Sequence, residues 1–302
     1  MTCRHILRVS AIGLFLALST RAGHAQPTPS WTAAVDRALG RAGAAQPGNV
    51  HKFSFPRADL SVMLNGTQLR PALALGSWIA FKQTTDGQAM AMGDLVLTED
   101  EVQPVLTSLQ KGGVEQTAIH NHLVGEAPHV VYMHIMAKGD AEKIAQTIHD
   151  ALAGTKTPMT PPRVGMPLRL DLDTTAFAAA LGVTGKGNTG VYQISVPRPE
   201  VIREGGEEIP PSMGVATAIN VQPTTNGRAV ATGDFVLLPA EVNPVIRALQ
   251  ATGIAVTALH SHLLMDQPHV LFMHFWGDDD AMKLARGLRA ALDATAMAPG
   301  RR

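Results

Sequence analysis

The hydrophobic and polar positions of this chain spell out the same series of elements twice. Extended segments run from His51 to Pro56, Gly76 to Gln83 and Ala89 to Leu97, and again from Val191 to Pro197, Val215 to Val221 and Ala229 to Leu238. The third segment of each series leads into a helix. Thr98-Glu99-Asp100-Glu101 marks its start in the first series as a capping box, and Pro239 marks it in the second as a first-turn proline. Those helices end near Gly112 and Gly253. Two strands then form a hairpin around Glu126 or Asp266, and a helix from Asp140 to Ala153, or Asp280 to Ala294, closes the series. A short amphipathic helix opens each series, with Ser30 or Asp173 as candidate N-cap and Gly40 or Gly182 as the stop. Strand, helix, strand, strand, helix is the core of a ferredoxin-like sandwich. The expected fold is therefore α+β: two tandem ferredoxin-like repeats with extra strands, and helices on one face of each sheet.

The repetition extends to the residues themselves. Aligned at a constant shift of 140, Gln88–Thr155 and Arg228–Thr295 share 30 identities in 68 positions without a gap. Upstream, Pro56-Arg57 corresponds to Pro197-Arg198, and Ala38-Leu39-Gly40 to Ala180-Leu181-Gly182, so each copy is of ordinary domain size. The expected division is a leader over 1–25, a first repeat over 26–155, a linker over 156–172 and a second repeat over 173–302. The Pro- and Gly-rich stretch GTKTPMTPPRVGMP supplies the linker. The leader has Arg4, His5 and Arg8, then an apolar run from Val9 to Leu18, then Gly23-His24-Ala25, which reads as a secretory signal cleaved after Ala25. That run is too short to span a bilayer, and no later stretch approaches the required length. A secreted or periplasmic protein without a membrane anchor is expected. Its only cysteine, Cys3, would leave with the leader, so neither disulfide nor thiolate ligand is expected afterwards. The 25 basic and 25 acidic residues balance, which gives no support to a nucleic-acid partner. A small molecule or a metal ion is the expected partner, and the pattern carries no signal of oligomeric state.

The histidines sharpen this expectation. Eight of the twelve lie in TAIHNHLVGEAPHVVYMH (Thr117–His134) and TALHSHLLMDQPHVLFMH (Thr257–His274), all four in register. Strand side chains alternate between faces, so His120 and His122 share one face. A hairpin whose paired positions sum to an even number puts His134 on that face too; a sum of 254 would set His134 directly opposite His120. The odd residues Ile119, Leu123, Val131, Met133 and Ile135 then form the apolar set beneath the helices. The second copy repeats this with His260, His262 and His274 opposite Leu259, Leu263, Leu271, Met273 and Phe275. His129 and His269 have the wrong parity and stand as reserve ligands. Three imidazoles gathered on a hairpin suit zinc or copper, and not the oxygen-seeking calcium or magnesium. One site per repeat is the leading expectation. Two other readings are open: a metal-free ligand pocket between the repeats, and a packed interface in which hydrogen bonds satisfy the rings.

Other positions add roles around that site. Gly93-Asp94 and Gly233-Asp234 put an aspartate inside a strand, where a second-sphere carboxylate, a fourth ligand or a bulge each explain it. With a metal-activated water, Asp94 or Glu126 would orient or transfer the proton in a hydrolase. Glu101 and Glu241 fall in the first turn of a helix and favour its dipole. Arg57 and Arg198 can bind an anion or pair with Asp59 and Glu200. The stretch GVTGKGNTG from Gly182 lacks P-loop spacing and reads as a flexible turn.

The segments ALGRAG, FPRAD, MGDLVL, EVQPVL and TAIHNHL, with VPRPE, TGDFVL, EVNPVI, TALHSHL and FMHFWGDDDA in the second copy, resemble the LppY/LpqO family of exported bacterial proteins. The resemblance covers nearly all of the chain after the leader and implies export and a two-copy architecture, but no reaction. Members named as lipoproteins carry a cysteine at the end of the signal, and this chain has none there, so lipid anchoring is not implied.

Overall fold

The structure is a computed structural model that describes Met1, residues 30–160 and residues 168–297. The leader and its cleavage point, together with 161–167 of the expected linker, lie outside the described residues. The first repeat runs α1 (Ser30–Leu39), β1 (Ala44–Gln46), β2 (Val50–Pro56), β3 (Gly76–Gln83), β4 (Ala89–Thr98), α2 (Glu99–Lys111), β5 (Glu115–His120), β6 (Val130–Gly139) and α3 (Ala141–Ala153). The second runs α4 (Thr174–Leu181), β7 (Lys186–Asn188), β8 (Val191–Pro197), β9 (Ala216–Pro223), β10 (Arg228–Leu237), α5 (Val242–Ala251), β11 (Ala255–His260), β12 (Leu271–Asp280) and α6 (Ala281–Asp293). Small two-residue strands link β2 to β3 and β8 to β9. Among the described residues no helix is long and apolar enough to cross a membrane.

Each repeat holds one six-stranded antiparallel sheet, ordered β1-β2-β3-β4-β6-β5 and β7-β8-β9-β10-β12-β11. The unit β4-α2-β5-β6-α3 places its strands as a ferredoxin-like core would. The fourth place differs: β3, which precedes the unit in sequence, fills it, and no strand of the same repeat follows α3. The architecture is therefore two similar mixed α/β halves, each a β-sheet with helices, and it departs from the ferredoxin-like sandwich expected. The segment read as a flexible turn contributes β7, paired as an edge strand to β8.

Parity separates the faces as expected. Odd residues Ile79, Phe81, Leu95, Leu97, Met133 and Ile135 pack with Val35, Leu39, Val105, Leu109, Ile144 and Ile148 of the helices. Phe235, Leu237, Met273 and Phe275 do the same beneath α5 and α6. In β4, β6, β10 and β12 the even residues face the other repeat: Met90 and Met92 join Val236, Val270 and Phe272, while Val96, Val130 and Tyr132 join Val230, Trp276 and, from β8 where the parity is reversed, Val191. The molecule is thus helices, sheet, sheet, helices, with the two sheets back to back. Polar contacts pin the junction. The Asn220 amide donates to the Leu73 carbonyl at 2.9 Å, Gln193 donates to the Ala72 carbonyl at 2.8 Å, and Lys52 Nζ donates to the Ser212 carbonyl at 2.9 Å.

Two expectations about the apolar set need correction. Ile119 and Leu259 are each 44% exposed, because β5 and β11 are sheet edges and no helix covers those positions. Leu123 and Leu263 are buried between the repeats, not beneath the helices, because the chain has left the strand by then.

Arg57 and Arg198 are structural. Arg57 is fully buried; it donates to Glu101 at 2.7 and 3.2 Å, to Asp59 at 2.9 to 3.3 Å and to the Val96 carbonyl at 2.7 Å. Arg198 repeats this with Glu241, Glu200 and Val236. With these donors so engaged, neither guanidinium serves the anion site considered from sequence. Glu101 in turn accepts from the backbone N–H groups of Thr98 and Lys156, tying the start of α2 to the chain beyond α3. Replacing Arg57 by Met strands that carboxylate and is expected to cost about 3–5 kcal/mol. Chemical denaturation measures this; a loss below about 1 kcal/mol would show that the buried pair is dispensable.

Candidate metal centre between the repeats

The histidine hairpins are bulged. In the first repeat Glu115 pairs with Met136 and Gln116 with Ile135, but beyond Thr117 the register shifts, so that Ala118 pairs with His134 and His120 with Tyr132. The second repeat does the same around Thr257. The register near the histidines is thus even, as parity requires, with a sum of 252 and not 254. His134 faces Ala118, and His122 lies past the end of β5, carried over the site by the loop. A shift of two leaves every face unchanged, which is why parity could not detect it.

Both triads meet at one place, where two separate sites were expected. His120 lies tilted against His260 with ring centroids 3.6 Å apart, while His122 stacks on His274 at 3.8 Å and His134 on His262 at 3.6 Å. Exchanging the repeats maps the first pair onto itself and the other two onto each other. This is the signature of an isologous contact about a local two-fold axis. Tyr132 lies against His122 at 3.4 Å and Phe272 against His262 at 3.8 Å, backing equivalent rings in the two halves. The Thr257 hydroxyl donates to the His122 carbonyl at 2.6 Å, so the second bulge holds the first loop in place.

The ring nitrogens converge on two overlapping groups. The ligand atoms of His120, His260, His262 and His274 all lie within 4.8 Å of one another, as do those of His120, His122, His134 and His262. Within the first group, His260 Nε2 is 2.9 Å from His262 Nε2 and 3.2 Å from His274 Nε2. Four nitrogens about 2.0–2.1 Å from a tetrahedral zinc stand roughly 3.3 Å apart, close to these spacings. His274 also donates Nδ1–H to the Gly233 carbonyl at 3.1 Å, which fixes the tautomer that turns its Nε2 lone pair inward. In the first repeat the buried Nε2 atoms of His120, His122 and His134 have no hydrogen-bond partner.

Two carboxylates complete the centre. Asp94 lies 3.9 Å from His122 Nε2 and 3.8 Å from His134 Nε2; Asp234 lies 3.9 Å from His262 Nδ1 and 4.0 Å from His274 Nε2. One oxygen of each is buried without a partner. Burial pushes the Asp94 carboxyl up to about 8, against the pull of Lys52. Asp234 is held well above the usual carboxylate range by burial and then by the charge of Asp94. Burial lowers His120 to about 3, helped by His260, and His260 to about 4. Burial and then neighbouring imidazoles hold His122, His134, His262 and His274 well below the ordinary value. Neutral imidazoles with inward lone pairs and buried carboxyls with an unpartnered oxygen are the combination a bound cation relieves.

The remaining candidates stand apart. His129 and His269 are exposed and turn to their own loops, 3.5 Å from Glu126 and 3.1 Å from Asp266. Glu126 is almost wholly buried beside His129 and joins neither histidine group. Sequence reading missed Lys52, stacked over Trp78 at 4.0 Å and shifted down to about 8 mainly by burial, with Asp94 opposing. No periodic signal marks it, since Gln193 takes the corresponding place in β8. The strand glycines were visible but their reason was not: a Cβ on Gly93 would come within 2.8 Å of the Trp78 carbonyl, and one on Gly233 within 1.9 Å of the Ala218 carbonyl. Only glycine lets β3 and β9 approach beside the two aspartates.

Comparison with known proteins places the chain in a family without assigning it a reaction. No curated protein matches it. Among solved structures, a trimeric bacterial microcompartment shell protein, PduB, aligns at 12% identity over 84% of this chain and 89% of its own, with a TM-score of 0.23. EtuB from Clostridium kluyveri aligns at 12% identity over 83% of this chain and 90% of its own, with a TM-score of 0.19. Scores this low carry no argument about fold or function. Residues 33–154 and 175–294 each match the family described as Domain of Unknown Function (DUF1259), one match per repeat. The chain belongs to that family and contains two tandem copies of its domain.

Proposed function

We propose that this protein is an exported binder of a divalent transition metal, zinc or copper, held between its two repeats. The observation that carries the reading is the convergence of four imidazole nitrogens from both repeats within 4.8 Å, in a buried setting beside two unpartnered carboxylate oxygens. All-imidazole donation suits zinc and copper. One dication would balance Asp94 and Asp234 when both ionise, which lowers the cost of burying those two charges. Export rests on the leader and on the resemblance to the LppY/LpqO family.

Binding is favoured over hydrolysis. A hydrolase built on this centre would need an open coordination position and room for a substrate. The cavity beside His134 and His262, walled by Trp78, Met92, Met213, Leu263 and Phe272, has a volume of about 10 Å³, the space of one water. The metal-free pocket loses support on the same ground, and because Arg57 and Arg198 are locked in ion pairs.

Full-length protein purified without a histidine tag is expected to retain or take up zinc or copper by elemental analysis. The double variant His120→Ala/His122→Ala is expected to lose it. At a hundredfold excess over Kd the metal adds about 2.7 kcal/mol, a rise in Tm of roughly 5–10 °C for a chain of this size, reversed by chelator. Wild-type protein that neither carries nor binds either metal would contradict the proposal. Zinc-loaded protein should also hydrolyse small activated esters no faster than free zinc; a rate that is enhanced, and lost with the double variant, would restore the hydrolase reading.

A further inference from the structure

The two histidine groups are not alternative descriptions of one site. They share only His120 and His262, while His260 and His274 belong to one and His122 and His134 to the other. Six imidazoles can therefore satisfy one four-coordinate ion or the other, but not both at once. The aspartates change that count. Each repeat contributes three imidazoles and one buried carboxylate at 3.8–4.0 Å from two of them. Together these are eight donors, enough for two four-coordinate ions.

We infer that the centre holds two ions in sequence, and that the second enters by ligand exchange. This rests on the metal-binding reading above. The first ion takes His260, His262 and His274, in which His260 Nε2 already lies 2.9 Å from His262 Nε2 and 3.2 Å from His274 Nε2, with His120 of the other repeat as fourth ligand. The first-repeat triad is more open: its ring centroids are 5.0, 5.0 and 6.3 Å apart, against 4.9, 4.9 and 5.7 Å in the second. When a second ion binds there, His120 returns to its own triad beside Asp94, and Asp234 replaces it at the first ion. Each ion then has three imidazoles and one carboxylate from a single repeat. Because the two sites draw on a common ligand, filling one weakens the other. Coupling of this kind typically amounts to a 5–150-fold difference in affinity. Shared ligands also give an ion a route from one group to the other without release to solvent, which suits a protein that hands metal on.

Titration of the metal-free full-length protein with Co²⁺, followed by its visible absorption and by competition with a chelating dye, tests the inference. The expected isotherm has two steps and saturates at two ions per chain, the second at least tenfold weaker. His274→Gln should weaken the tight step, His134→Gln should affect only the weak step, and His120→Gln should weaken both. Circular dichroism and thermal denaturation of each variant separate loss of ligand from loss of fold. Saturation at one ion, or His134→Gln and His274→Gln acting on the same step, overturns the inference while leaving the single-ion reading intact. Failure of the wild type to bind any Co²⁺, Zn²⁺ or copper removes both.

Discussion

The back-to-back contact of the two sheets is the constraint on which the rest depends. Each sheet has one face covered by helices, and its opposite face is covered by the other repeat. Most of that junction is ordinary apolar packing of Met, Val, Leu and aromatic side chains. Near the local two-fold axis it turns polar. There the six imidazoles and two carboxylates would be a heavy desolvation cost if the junction served only to glue the repeats together. Apolar residues of similar size would hold the sheets as well or better. A buried polar centre kept at such a cost, with the Nε2 atoms of His120, His122 and His134 and one oxygen each of Asp94 and Asp234 left unpartnered, points to a ligand that compensates it.

Electrostatics and geometry agree on the character of that ligand. Burial drives the carboxyls toward protonation and the imidazoles toward neutrality, so these groups by themselves carry little charge. A dication inverts both tendencies at once. The surrounding structure also looks prepared for it: the Gly233 carbonyl orients His274, aromatic rings back His122 and His262, and Thr257 of one repeat anchors the loop that carries His122 in the other. Lys52 is a charged group that breaks the two-fold relation, and it lies on the Asp94 side.

Much of this was legible in the sequence, and the parts that were not share a cause. The duplication, the element order and the face of each strand follow from local periodicity, and the structure repeats them nearly residue for residue. Parity alone assigned His120, His122 and His134, and likewise His260, His262 and His274, to the face opposite the helices, and set His129 and His269 apart. It could not distinguish a register sum of 252 from 254, nor foresee the bulges at Thr117 and Thr257, because both leave the alternation near the histidines intact. Ile119 and Leu259 were misplaced because an edge strand looks like an inner one until its neighbours are known. The largest revision, from two sites to one centre, concerns how the repeats meet. That is a long-range property which no window of residues encodes. The family match to two copies of a domain of unknown function agrees with the duplication and leaves the chemistry to the site itself.

Anomalous diffraction from crystals of the metal-loaded protein, collected at the zinc and copper edges, tests the central claim most directly. The account predicts anomalous density between the repeats, about 2 Å from ring nitrogens contributed by both of them. Density only at surface histidines such as His129 and His269, or none between the sheets at full metal saturation, would contradict it.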